Sequence, residues 1–316
     1  MLARMCSAIA LVLLAVFATA QAEDYPTRFI RVIVGPGPDI VPRLLGPKMS
    51  EMLGQQVVIE PRPGAGGVIA TQTIATAPPD GYSLLQATAS YTINTALQTS
   101  PYDMRKDFAP VALATTTPFL LVVHPSVPAK SLQELVALAK SKPGALNYAS
   151  SGIGTPPHLA GELFKVLAGV DIVHVPFREA NSALNAVVSG AVQMMFSIAS
   201  TAQPQVSAGT VRGLGVTSLK PSPLVPGQPS IAESGLPGFD VVGWNGYVAP
   251  AGTPAAVVGK LNAALQFALA DADARARLAT AGYEPVAHNT PEEFAAFIKT
   301  DTEKWLDLVE KTHMRK

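Results

Sequence analysis

Asn147-Tyr148-Ala149-Ser150-Ser151-Gly152-Ile153-Gly154-Thr155-Pro156 runs directly into Pro157-His158-Leu159-Ala160-Gly161-Glu162-Leu163-Phe164. Its first four residues read as the end of a β-strand. The two glycines and their flanking hydroxyl residues then break the extended chain. Proline is tolerated in a first helical turn, so a helix is predicted from Pro157 to Ala168. Strand, small-residue loop and helix form one unit, and the rest of the chain repeats that order.

Upstream, Phe29–Val34 is a β-rich run, broken by Gly35-Pro36-Gly37-Pro38-Asp39. Asp39 is a candidate N-cap for a helix over Ile40–Leu53, with Pro42 confined to its first turn. Gln56–Glu60 is a strand, Pro61–Gly67 a loop and Val68–Thr76 a helix. Tyr82–Gln86 is a strand, Ala87–Ser90 a loop and Tyr91–Leu97 a short helix. Val111–Ala114 and Phe119–His124 read as two strands, followed by a capping box at Ser131-Leu132-Gln133-Glu134 and a helix to Lys140. Downstream, strands are predicted over Asp171–Pro176, Val192–Phe196, Val211–Thr217 and Phe239–Ala249. Helices are predicted over Ala180–Ser189, Gln203–Ala208, Pro254–Leu269 and Ala272–Thr280. Thr290-Pro291-Glu292-Glu293 opens a last helix to Lys311. The run Lys220–Pro229 holds four prolines and reads as loop. Alternating strands and helices define an α/β fold with parallel sheets. At roughly 150 residues per domain, a chain of 316 residues is expected to form two domains.

Lys plus Arg and Asp plus Glu number 23 each, so no net field is available to hold nucleic acid. Arg4, the apolar run Ile9–Phe17 and Ala20-Gln21-Ala22 have the form of a secretory signal peptide over residues 1–22, cleaved after Ala22. Cys6, the one cysteine, lies in that leader, so the mature chain is expected to lack thiol chemistry, disulfides and thiolate metal sites. The destination read from the leader is the periplasm.

Enzyme motifs are missing. No phosphate-binding P-loop, zinc-protease helix, nucleophile elbow or S-x-x-K occurs. Gly35-x-Gly37 and Gly152-x-Gly154 lack the third glycine of a dinucleotide fingerprint, at Ile40 and Pro157. His124, His158, His174, His288 and His313 show no metal-ligand spacing. A secreted hydrolase using Ser151 is an alternative reading. Its nearest base, His158, has no evident orienting acid. The chemistry that remains is in the loops. In open α/β sheets, ligands bind beyond the carboxyl ends of the strands, where helix N-termini favour anions. Gly35–Asp39, Ala87–Ser90, Ser150–Thr155 and Phe177–Ser182 are such loops, with Ser197 after another strand. Arg178 is the one cation among them, able to pair a ligand carboxylate or neighbouring Glu179.

Family-like segments recur in a fixed order along nearly the whole mature chain. They are Tyr25-Pro26 with Ile30–Val34, Pro61–Gly67, Pro79–Leu85, Lys106–Val111, Asn147–Phe164, His174–Phe177, Gly235–Phe239 and Ala249–Pro254. In these the chain resembles the tripartite tricarboxylate transporter substrate-binding family, the Bug-type periplasmic receptors. The resemblance implies a type II periplasmic binding protein fold, with two α/β lobes closing on a ligand cleft. It implies a discontinuous first lobe (residues 23–121 and 227–316) and a second lobe of residues 122–226. It also implies a monomer that takes a small carboxylate ligand without catalysis, metal or cofactor. The partners would be inner-membrane transporter subunits; an orphan or sensor-linked receptor is the alternative. By position, the ligand contacts implied are Gly35, Gly37, Asp39, Thr88, Ser90, Ser150, Thr155, Phe177, Arg178 and Ser197.

Three departures from the family pattern stand out. The first loop is about four residues shorter, and its Pro36 and Pro38 have no N–H to offer a carboxylate. Ser197 stands where an aspartate is common, removing an acidic partner for a ligand amino group. Phe177-Arg178-Glu179 replaces Tyr-Lys-Gly and adds a negative charge near the cleft.

Overall fold

A computed structural model describes residues 25–35, 38–64 and 67–314. The leader, its cleavage site and Gly37 lie outside the described residues. The element order is β1 (Ile30–Val34), α1 (Ile40–Leu53), β2 (Val57–Pro61), α2 (Val68–Ala75), β3 (Ser83–Thr88), α3 (Ala89–Leu97) and β4 (Phe108–Val123). The chain continues through α4 (Leu132–Ser141), β5 (Asn147–Ser150), α5 (Pro156–Ala168), β6 (Val173–Pro176), α6 (Ala180–Val188), β7 (Met194–Ile198), α7 (Ala199–Ser207) and β8 (Arg212–Val216). It ends with β9 (Val242–Pro250), α8 (Ala255–Ala270), α9 (Ala272–Thr280), β10 (Glu284–Pro285) and α10 (Pro291–Thr312).

One path of paired strands runs β2-β1-β3-β9-β4-β7-β5-β6, with β8 and β10 also on β4. The parallel strands fall in two groups, β1 with β2 and β3, and β5 with β6 and β7. The joining strands are antiparallel. Residues 108–118 of β4 pair with β9, and residues 119–123 pair with β7. A single strand therefore belongs to both lobes and changes partners at Pro118–Phe119. Sequence reading split it in two at Thr115-Thr116-Thr117-Pro118. These residues stay extended because β-branched threonine favours strand geometry. Thr115 and Thr116 pair on one side with Asn245 and Trp244, and on the other with Pro285 and Glu284 of β10, a strand not anticipated. Pro118, which has no N–H, falls where β9 runs out.

The return crossing lies beside this junction. Phe119 N–H donates to Thr217 Oγ1 at 2.9 Å, and Thr217 N–H donates to Phe119 O at 2.9 Å. The Thr217 hydroxyl also donates to Val241 O at 2.5 Å. Both crossings are thus tied to one threonine.

β1 shows why its sequence is a continuous apolar run. Ile30, Val32 and Val34 enter one core with α1 and α8, while Ile33 enters another with α2 and α3. Both faces of the strand are covered, as in the interior of a parallel sheet. At the helix ends, Thr290 and Glu293 form the complete reciprocal capping box expected of them. Ser131 accepts from Glu134 N–H, but the Glu134 carboxylate reaches Lys130 N–H, one residue before the cap. Asp39 does not cap α1. Its carboxylate turns to Arg43, with Arg43 Nε at 2.8 Å, because an i,i+4 cation offers a charged partner. That hydrogen bond holds the Asp39 carboxyl below its ordinary range.

Candidate functional site

The strand ends carry most of the expected residues. Gly35 follows β1, Thr88 closes the neighbouring β3, and Ser90 falls in the first turn of α3. Gly35 is buried beneath Tyr91, whose hydroxyl lies 2.1 Å from where a Cβ on Gly35 would sit. A side chain at Gly67 would meet the same ring at 2.2 Å. Tyr91 thus closes the space between two loops of the first lobe, a role its position in the sequence did not announce.

In the second lobe, β5 and β6 lie in register with Ser150 beside Pro176, and Phe177 N–H donates to Ser150 O at 2.9 Å. The Ser150 loop and the Phe177-Arg178 loop are therefore neighbours. Ser150 is buried. Its Oγ accepts from Gly152 N–H at 3.1 Å and lies 2.7 Å from His174 Nε2. Thr155 donates its hydroxyl to Gly152 O at 2.7 Å. Phe177 is half-buried and packs on the lobe's core, whereas Arg178 is exposed. Among the described residues Arg178 makes no ion pair, and Glu179 is exposed beside it. Ser197 is buried within β7 opposite Leu120, one residue before the strand's end.

The helix expected from Gln203 starts earlier: α7 begins at Ala199, immediately after β7, with Pro204 inside it. That earlier start places Ser200 and Thr201 in its first turn. Two close approaches join the lobes near these loops. A Cβ on Gly154 would meet Leu97 Cδ1 of α3 at 3.0 Å, and one on Gly282 would meet Ser200 Oγ at 2.1 Å.

Behind the Ser150 loop is a compact polar cluster. The rings of His158 and His174 are 4.2 Å apart, and Tyr148 stacks on His174 at 4.8 Å. The Tyr148 hydroxyl donates to Glu162 Oε1 at 2.7 Å, and Lys165 pairs with that carboxylate at 3.1 Å. Burial, and then the neighbouring His158, push His174 down to about 4. Burial likewise lowers His158, whose Nδ1 lies 3.3 Å from Gly154 N–H. His158 thus serves the loop backbone and not Ser151, and the histidine beside a serine in this loop is His174, on Ser150. No group of three or more metal-ligating side chains occurs among the described residues. A surface depression of about 660 Å³ lies elsewhere, lined by Met104, Lys106, Ile298 and Lys299 among others.

Two parallel-stranded lobes, joined by shared crossing segments and with small-residue loops at their strand ends, have the architecture of a two-lobed solute-binding protein. Residues 41–314 match the model of the tripartite tricarboxylate transporter family receptor, and the chain belongs to that family. It is 38% identical over 313 residues to a UPF0065 protein in the tcbD-tcbE intergenic region of Pseudomonas sp. strain P51, covering 97% of this chain and 93% of that one. Among solved structures, it is similar to R. palustris Rpa4515 with adipate. That match has a TM-score of 0.75 and 32% identity, covering 91% of this chain and 98% of the other. It is also similar to MatC from Rhodopseudomonas palustris with bound malate. Here the TM-score is 0.73 and the identity 36%, covering 90% of this chain and 100% of the other. The family is one of substrate-binding receptors and not of enzymes.

Proposed function

We propose that this receptor captures a small carboxylic acid between its lobes in the periplasm and presents the closed form to inner-membrane transporter subunits. The observation that carries this reading is that two structures sharing its fold, at 32% and 36% identity, hold adipate and malate. The geometry agrees with it. Gly35 and Thr88 of one lobe and Ser150 of the other stand at the ends of strands, Ser90 and Thr155 at the starts of the helices that follow, and Arg178 in the loop after β6. Backbone N–H groups and hydroxyls there suit an anion, with Arg178 as the charged partner. Asp39 is engaged by Arg43, so it supports the first loop and leaves the ligand to backbone groups. The working division is residues 23–121 with 227–316 against residues 122–226, supported by the change of strand partner within β4. Export would remove the leader after Ala22. Closure requires that the acid bind the closed form more tightly than the open one.

The test is mass spectrometry of small molecules released when natively purified protein is denatured, followed by calorimetry with adipate and malate. A stoichiometric carboxylic acid supports the reading. An empty protein whose melting temperature no carboxylate raises overturns it.

A further inference from the structure

The Ser150 hydroxyl has one proton and two places to put it. Its oxygen already accepts from Gly152 N–H at 3.1 Å, and His174 Nε2 lies at 2.7 Å and Gly152 O at 3.2 Å. Gly152 O is itself occupied. It accepts the Thr155 hydroxyl at 2.7 Å and faces Thr155 N–H at 3.4 Å. With both lone pairs of that carbonyl engaged, the Ser150 proton goes to the shorter contact, and His174 Nε2 is the acceptor. In this arrangement Thr155 spends its only hydroxyl donor inside the loop.

A carboxylate is an acceptor only, so it engages Thr155 only if that hydroxyl turns outward. Gly152 O then loses its best donor, and the Ser150 hydroxyl is 3.2 Å away to replace it. If Ser150 turns, its oxygen presents a lone pair to His174 Nε2, which must donate to keep the 2.7 Å contact. We propose that His174 is the proton-linked positioning residue of the site: a carboxylate taken by Thr155 turns the Ser150 hydroxyl to Gly152 O and loads a proton onto His174 Nε2. In this reading the proton comes from solvent with Nδ1 keeping its own, so that the complex holds one proton more than its free components; a neutral ring that merely moves its proton from Nδ1 to Nε2 would show no uptake and overturns it. The inference rests on the carboxylate reading above and adds how that ligand is sensed.

The surrounding charges favour this direction. Tyr148 stacks on His174 from β5, and His158 faces it from α5. Glu162 and Lys165, also on α5, are paired with each other at 3.1 Å and largely cancel. Without ligand, burial and His158 keep the imidazole neutral near pH 7. On the loop that follows β6, Arg178 and Glu179 carry opposite charges and are exposed, where solvent screens them; a bound carboxylate adds a negative charge that shifts the equilibrium toward imidazolium. Binding takes up protons above the free protein's pKa, so affinity rises as pH falls from 7.5 toward 5.5.

The experiment uses the processed protein with adipate. Long-range proton–nitrogen NMR reads His174 with and without adipate, and calorimetry in two buffers of different ionisation enthalpy counts protons for wild type and His174→Gln. Glutamine can accept or donate at Ser150 but does not titrate. The expected result is a His174 Nε2 that gains a proton in the complex. Wild type should take up close to one proton more than H174Q, and its affinity should rise by up to about tenfold per pH unit on acidification where that of H174Q does not. A His174 Nε2 still unprotonated in the complex, or equal proton counts in the two proteins, overturns the inference; if H174Q does not fold, the wild-type spectrum decides alone. Failure of wild type to bind adipate, malate or any released acid is a separate outcome, in which the carboxylate reading falls and the relay with it.

Discussion

Gly161 lies on the face of α5 that meets Tyr148, where a Cβ would come 2.2 Å from the tyrosine ring. Tyr148 is fully buried, stacked on His174 and bonded to Glu162, so it has little freedom to yield. Gly161→Ala is expected to destabilise the fold by about 1–3 kcal/mol, the usual scale of overpacking. Urea denaturation measures this, and a midpoint unchanged from wild type would show that the ring gives way. Arg178 is the opposite case, exposed and without an ion pair among the described residues. Arg178→Ala should weaken carboxylate binding by about 1 kcal/mol, an effect that fades at high salt because the group is solvated. Unchanged affinity at low salt removes Arg178 from the site. At this scale the sequence was only partly legible. The hydroxyls and glycines of Ser150–Thr155 could be picked out because they break a strand. The pairing of His174 with Ser150 could not, because it depends on β5 and β6 lying side by side across 24 residues of chain.

The capping box at the start of α10 was readable from four consecutive residues because its physics is local. Thr290 Oγ1 accepts from Glu293 N–H at 3.2 Å, and Glu293 Oε2 accepts from Thr290 N–H at 2.8 Å. Thr290→Ala should lower stability by about 1 kcal/mol, read as a shifted melting curve; no shift would mean that Glu293 alone holds the helix start. β4 and α7 were harder to read for the reverse reason. Three threonines and a proline look like a turn until β9 and β10 supply partners for them. The helix expected over Gln203–Ala208 starts four residues earlier and holds Pro204 in its interior. The helix runs through it from Ala199, forgoing the bond that an N–H at position 204 would make to Ser200 O. The missing signal in both cases lay in a neighbouring element and not in the segment itself.

Across the whole molecule, the α/β class was legible because periodicity and element order survive without tertiary detail, and the two-lobe arrangement came from the family resemblance. The contacts between lobes were not. Gly282 has φ +86 and stands in the turn before β10, against Ser200 at the start of α7. A side chain there is strained in its backbone and collides across the lobes. Gly282→Ala should favour the open form, with a larger radius of gyration by small-angle scattering and several-fold weaker ligand binding. A variant identical to wild type in both would mean that the turn yields locally.

The sharing of β4 between the lobes has a practical consequence for anyone who would divide this receptor. Neither lobe is a detachable module, since a cut at Pro118–Phe119 leaves each fragment with a truncated strand and an exposed, unpaired edge. A split reporter made there would aggregate before its halves could meet. A fluorescent sensor is better made by inserting a chromophore domain at Pro226-Gly227, which are exposed within the proline-rich stretch 220–229, whereas Val225 beside them is packed in the core.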